Sequence, residues 1–231
     1  KGFDEYAQQY DSWFLDNPNV LATEAALVAL TLKGSKRILS VGCGSGLFET
    51  ILRNDYDIIV TDGVEPSPAM ADIARKRGLT VTEATAEDYE YPAGVYDTIL
   101  FNGSPSYITD LRAVLKKVYA ALPAGGKVVL IDVPKESSYG LLYNLAKAVG
   151  TWDHPLLQGC YPPNPYPIEF VEVANWRTSA EKIELCEEAG FKRIESAQTL
   201  TAHPVYSECA YEDPQPGHDR GDYVAVIAYK D

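Results

Sequence analysis

The stretch ILSVGCGSGLFET, residues 38 to 50, constrains the fold more than any other part of the chain. A run of apolar and small residues enters Gly42, Gly44 and Gly46, and an apolar, helix-capable segment follows at once. A strand, a turn without side chains and a helix in direct succession form the opening half of a strand-helix-strand unit. Glycines at such a turn let a ligand approach the backbone, and the next helix offers unpaired N–H groups at its N-terminus. Several nucleotide cofactors are bound this way, so the loop alone does not choose among them.

The same alternation runs along most of the chain. RILSV, DIIVTDGVE, TVTEAT, YDTILFN and KVVLIDV are predicted strands. Helices are predicted between them over GLFETILRND, SPAMADIARKRG and TDLRAVLKKVYAALPAGG. Ser67 stands as an N-cap with Pro68 in the first helical position and Gly78 at the stop. Two helices, DEYAQQYDSWFL and NVLATEAALVALTLK, precede the first strand. A further helix over TSAEKIELCEEAG carries a capping box from Thr178 to Glu181. FKRIESAQTL and YVAVIAYK close the chain as strands, with no helix between them. This pattern predicts a doubly wound, mostly parallel α/β sheet of seven strands, the last antiparallel. The expected organisation is one domain over 1–231, interrupted at about 134–177 and 203–222.

Composition narrows the function. A net charge of −13 disfavours a nucleic-acid substrate or an anionic membrane surface. No apolar run approaches the roughly 18–20 residues of a membrane span. Cys43, Cys160, Cys186 and Cys209 form no CxxC pair and are expected to be reduced thiols of a cytoplasmic protein. His203, His218 and Cys209 match no standard zinc spacing, so no metal is expected.

In a doubly wound sheet the ligand lies beyond the carboxyl ends of the strands, where their order reverses. Glu65 falls at the end of the second strand, nineteen residues after Gly46, where a carboxylate can accept hydrogen bonds from both ribose hydroxyls. Loop and acid together point to an adenosine-containing ligand. The third glycine comes one residue too early for the dinucleotide pattern G-x-G-x-x-G.

These motifs resemble those of class I S-adenosylmethionine-dependent methyltransferases. ILSVGCGSGLFE is similar to their first motif, GVEPSPAMADIARKRG to the second, EATAEDYEY to the third, YDTILFNGSPSYITD to the fourth-strand motif and LPAGGKVVLIDVP to the fifth. YAQQYDSWF resembles the N-terminal helix that covers the cofactor in the branch related to quinone-biosynthesis methyltransferases. The resemblance implies the Rossmann-like methyltransferase fold and S-adenosylmethionine as cofactor. Its cofactor-binding positions carry over to Tyr10, Gly42, Cys43, Gly44, Gly46, Glu65, Pro66, Met70, Ala86, Glu87 and Asn102. The pattern departs at Ser40, where the family usually has an acid, and at Thr85, where an Asp often stands.

The chemistry implied is in-line displacement of the methyl group by a small, apolar or aromatic acceptor, with orientation and exclusion of water as the protein's main tasks. Aromatic residues crowd the interruptions, which are expected to cover the acceptor beside Asn102, with Tyr143 and Trp152 as contacts and His154 as a candidate general base. Three alternatives stay open: a nucleic-acid or protein methyltransferase, a cofactor-binding regulatory protein without turnover, and a nicotinamide-dependent oxidoreductase.

Overall fold

The computed structural model describes residues 6–231. The first described helix is α1 (Ala7–Asp16); Asp4 and Glu5 of the predicted segment lie outside the described residues. Then come α2 (Pro18–Thr31), β1 (Ile38–Val41), α3 (Leu47–Tyr56), β2 (Asp62–Val64), α4 (Pro68–Lys76), β3 (Thr80–Thr82) and β4 (Thr98–Asn102). The second half holds α5 (Leu111–Ala121), β5 (Lys127–Asp132), α6 (Ser138–Val149), α7 (Ile168–Glu172), α8 (Ser179–Ala189), β6 (Arg193–Thr199), β7 (Gln215–Pro216) and β8 (Tyr223–Tyr229).

The sheet order is β3-β2-β1-β4-β5-β8-β6-β7. Strands β3 to β5 pair in parallel, and β8 runs antiparallel to both β5 and β6. This is the α/β architecture expected, with one more strand. The addition, β7, is a two-residue ladder on β6 inside the second interruption, too short to show any hydrophobic alternation. The first interruption folds into α6 and α7.

Local chemistry explains the boundaries. Ser67 caps α4 by accepting from the Met70 amide, with Pro68 at the first helical position. Asp110 caps α5 and Ser137 caps α6. Thr178 and Glu181 form the reciprocal capping box of α8.

Two apolar cores flank the sheet. One packs α1, α2 and α3 on one face, with Phe14, Leu27, Phe48 and Leu100 at its centre. The other packs α5 and α8 on the opposite face around Leu39, Phe101, Leu115 and Phe191. A third cluster, built from the first interruption, gathers Tyr139, Tyr143, Leu157, Val171 and Trp176.

Helix α2 is buried nearly all round, as expected of a helix without a polar face. Glu24 is its one charged residue. Its N-terminus lacks a local side-chain cap; instead the Glu208 carboxylate accepts from the amides of Asn19 at 3.0 Å and Val20 at 2.8 Å. Among the described residues no helix is long and apolar enough to cross a membrane.

Candidate functional site

Strand order reverses between β1 and β4, and the loops leaving these two strands meet there. A Cβ on Gly42 would lie 2.4 Å from the Cβ of Ser104, so the contact exists only because residue 42 has no side chain. Gly44 has φ +56 and nothing within 4 Å of where its Cβ would stand. Its bare backbone instead borders a cavity of about 230 Å³.

The amides of the glycine loop are bonded within the protein. Those of Gly42 and Cys43 both donate to the Val64 carbonyl at 2.7 and 3.1 Å, and that of Gly46 to Cys43. The Gly44 amide donates to Glu65 Oε1 at 3.0 Å. A pyrophosphate would need these N–H groups for itself, so the loop does not suit a dinucleotide.

Glu65 sits just past β2, buried, with its other oxygen accepting from the Ser67 amide at 2.7 Å. The two bonds fix the carboxylate at the cavity wall. Pro66 and Met70 continue that wall, Ala84, Thr85, Ala86 and Glu87 form another, and Asn102, Gly103 and Ser104 close it at the end of β4. Tyr10 of α1 lies across it. Asp11 pins α1 in place, taking a 2.5 Å hydrogen bond from the Ser45 hydroxyl and a 2.8 Å ion pair from Arg77. Ser40 donates to Glu49 Oε1 at 2.7 Å, bringing a buried acid from α3 next to the position where the family's pattern departs.

A second, smaller chamber of about 70 Å³ shares Tyr10, Gly103 and Tyr107 with the first. Its walls are aromatic: Trp13, Phe14 and Phe48 from the N-terminal half, Tyr143, Tyr166 and Trp176 from the first interruption, and Tyr223 from β8. Burial raises the pKa of Tyr10, Tyr143, Tyr166 and Tyr223 well above the ordinary tyrosine value, so their hydroxyls keep their protons. Two carboxylates, Glu24 and Asp132, also line it. Asp132 accepts from the amides of Ser106 at 2.7 Å and Val133 at 2.8 Å.

Nine of the residues expected at the cofactor, Tyr10, Gly42, Gly44, Glu65, Pro66, Met70, Ala86, Glu87 and Asn102, line the larger cavity. Cys43 and Gly46 do not: Cys43 packs into an apolar cluster with Ala71, Ala74 and Leu79, and Gly46 precedes α3 against Ala74 and Leu79. Tyr143 lines the aromatic chamber, with Trp152 one layer behind, 6.0 Å from the Tyr143 ring and bonded to the Tyr166 carbonyl. His154 lines neither cavity; its Nδ1 accepts from the Leu156 amide in a local turn. No residue of 203–222 lines either cavity. Glu24, Asp132 and Tyr107 escaped the sequence reading. A lone acid within an apolar helix and an acid at the carboxyl end of a parallel strand were the signals available.

The fold is that of the α/β methyltransferase class. A family model described as "Methyltransferase domain" matches residues 14–196, and the chain belongs to that family. It is 29% identical to the uncharacterized protein MJ1123 of Methanocaldococcus jannaschii, with 99% of this chain and 98% of that one covered. The demethylmenaquinone methyltransferase of Thermus thermophilus is 29% identical over 62% of this chain and 70% of its own. A crystal structure of a SAM-dependent methyltransferase from Thermotoga maritima, described as a possible histamine N-methyltransferase, superposes with a TM-score of 0.83 at 27% identity, covering 100% of this chain and 98% of that one. The protein is an S-adenosylmethionine-dependent methyltransferase, with S-adenosylmethionine as methyl donor. The larger cavity fits that donor: bare backbone at Gly44 leaves room against the loop, and an oriented carboxylate, Glu65, faces the space.

Proposed function

We propose that this methyltransferase acts on a small molecule held in the aromatic chamber, next to a donor held in the larger cavity. The observation that carries this reading is the shared wall. Two cavities of different chemistry meet at Tyr10, Gly103 and Tyr107, beyond the carboxyl ends of the strands at the switch point. The names of two relatives, demethylmenaquinone methyltransferase and possible histamine N-methyltransferase, are those of enzymes acting on small molecules.

In this reading Glu65 holds the ribose, Ala86 and Glu87 border the adenine, and Gly42, Gly44 and Asn102 border the methionyl end under Tyr10. The donor supplies a sulfonium-bound methyl group, an electrophile open to direct in-line attack. The aromatic walls exclude water and orient the acceptor. The first interruption, through Tyr143, Tyr166 and Trp176, forms the acceptor cover, with Trp152 bracing Tyr143.

The test supplies methyl-labelled S-adenosylmethionine with a metabolite extract stripped of protein and nucleic acid. Label is expected in a low-mass product, and Tyr143→Ala should reduce it while leaving the dissociation constant of S-adenosylhomocysteine within about twofold. Transfer that occurs only when the macromolecular fraction is restored would overturn the reading.

A further inference from the structure

We infer that the acceptor is a small amine that enters the aromatic chamber as an ammonium ion, with Glu24 as its counter-charge and proton acceptor. The inference deepens the acceptor reading above and rests on it.

The chamber is chemically unusual. An apolar or neutral aromatic acceptor needs no charge in its pocket, yet two buried carboxylates face this one. Asp132 is held by two backbone amides. Glu24 is 8% exposed and makes neither a hydrogen bond nor an ion pair with any described residue. A buried acid without a partner is costly to a fold unless something else uses it.

The groups facing Glu24 do not supply a partner. Asp132 approaches it from β5, Tyr10 from α1, Tyr139 and Tyr143 from α6 and Tyr223 from β8. None of them is a cation. Asp132 does feel Lys182 and Arg177, the former fully buried, but neither lines the chamber. Among the described residues no cation lines the chamber, and its walls are aromatic faces, the surface that receives ammonium ions best. A volume of about 70 Å³ suits a substituted ammonium head and its first carbons.

The same group answers the chemical need of such an acceptor. An ammonium nitrogen has no lone pair and must lose a proton before it can attack. Burial, with a smaller contribution from Asp132, pushes Glu24 from 4.5 to about 8, so its ionised form, which a bound cation favours, is a much stronger base than an ordinary carboxylate. The acceptor R–NH3+ gives one proton to the Glu24 carboxylate. The freed nitrogen lone pair forms the N–C bond to the methyl carbon as the C–S bond breaks, its electron pair staying on sulfur. The products are a methylated ammonium and a neutral thioether, and Glu24 returns its proton to solvent. Tyr10 and Tyr107, common to both cavities, mark where nitrogen and methyl meet.

The experiment is calorimetric titration of the full chain. S-adenosylhomocysteine is titrated first, and its affinity tests the donor cavity alone. n-Butylammonium and 1-butanol are then titrated at pH 9, where Glu24 is ionised and the amine is still a cation, into protein saturated with it. The ammonium is expected to bind at least tenfold more tightly than the alcohol. Glu24→Gln should erase that preference while leaving the affinities for 1-butanol and S-adenosylhomocysteine within twofold. The Gln variant matches protonated Glu24 in shape and removes only its ability to ionise, so it should fold; Glu24→Asp, which can still ionise, should retain a measurable preference. Equal affinities in the wild type, no ammonium binding, or a preference that survives in Glu24→Gln each overturn the inference. With normal donor affinity, those results leave the methyltransferase reading standing.

Discussion

The hydroxyl of Tyr223 donates to Asn102 Oδ1 at 2.5 Å, joining a residue of the aromatic chamber to one of the larger cavity. Tyr223 comes from antiparallel β8 and Asn102 from the end of parallel β4. The bond ties the C-terminal strand to the switch point. Burial keeps the tyrosine protonated and therefore a donor. Tyr223→Phe should leave the Asn102 oxygen without it, at a cost of about 1–3 kcal/mol. In a chain of this size that is a fall in melting temperature of roughly 2–10 °C, read by calorimetry. A variant melting with the wild type would show that Asn102 finds another donor.

Glu65 is expected to be the strongest single determinant of donor affinity. If it binds both ribose hydroxyls, Glu65→Ala should weaken S-adenosylhomocysteine by about tenfold to a few hundredfold, the equivalent of roughly 1.5–3 kcal/mol. The same change frees the amides of Gly44 and Ser67, so the glycine loop should exchange amide hydrogens faster. Undiminished binding would move the ribose to another acid, with Asp62, bonded to Tyr96 at 2.7 Å, the nearest in sequence.

Asp11 connects the covering helix to the glycine loop through Ser45 and Arg77. Asp11→Ala should reduce donor affinity about tenfold, near 1.4 kcal/mol, while the unliganded protein melts within a few degrees of wild type. The comparison of titration and melting separates the two effects. An unaltered dissociation constant would make α1 a packing element only.

Glu24 should also write itself into the pH dependence of stability. An unfolded glutamate loses its proton near 4.5, whereas the folded Glu24 keeps its own to about 8. Between those values the native state binds more protons than the unfolded chain, so this group lowers stability as pH rises through the window. Glu24→Gln should match wild type below pH 4.5 and become increasingly more stable up to pH 8, by as much as about 5 kcal/mol. Melting curves at pH 4.5, 6 and 8.5 measure it, and a constant difference across them would contradict the assignment.

Glu208 caps α2 from far along the chain. Glu208→Ala removes two charge-assisted hydrogen bonds at a helix N-terminus and should cost about 1–2 kcal/mol. Glu208→Gln, which keeps one acceptor, should cost about half. Thermal denaturation of both decides it; no loss in either would mean solvent replaces the cap.

Much of the architecture was legible because it is local. The glycine loop after RILSV, Ser67 before Pro68, and the Thr178–Glu181 box are chemistry of neighbours, and each element stands where its signal falls. The nine residues gathered at the larger cavity were legible for a related reason: a motif fixed to the end of a parallel strand inherits the strand's position. The aromatic chamber is different. Tyr10, Glu24, Asp132, Tyr166 and Tyr223 come from five separate segments, and nothing in local periodicity brings them together. Cys43 shows the opposite limit. Its place in the motif was plain, but its side chain turns into the space that Gly63 leaves open, where a Cβ would lie 2.6 Å from its sulfur.

The long-range cap on α2 also has a bearing on time. Glu208 reaches Asn19 across 189 residues, and the Glu212 amide reaches the Thr23 hydroxyl across the same separation. During synthesis at about 5–20 residues per second, α2 emerges roughly 10–40 s before these partners exist. Helices α1 and α2 therefore leave the ribosome long before residues 208 and 212, the partners that lock them, are made. Glu24 and Tyr10 ride on those helices. The aromatic chamber is completed only after Tyr223 of β8 has been made.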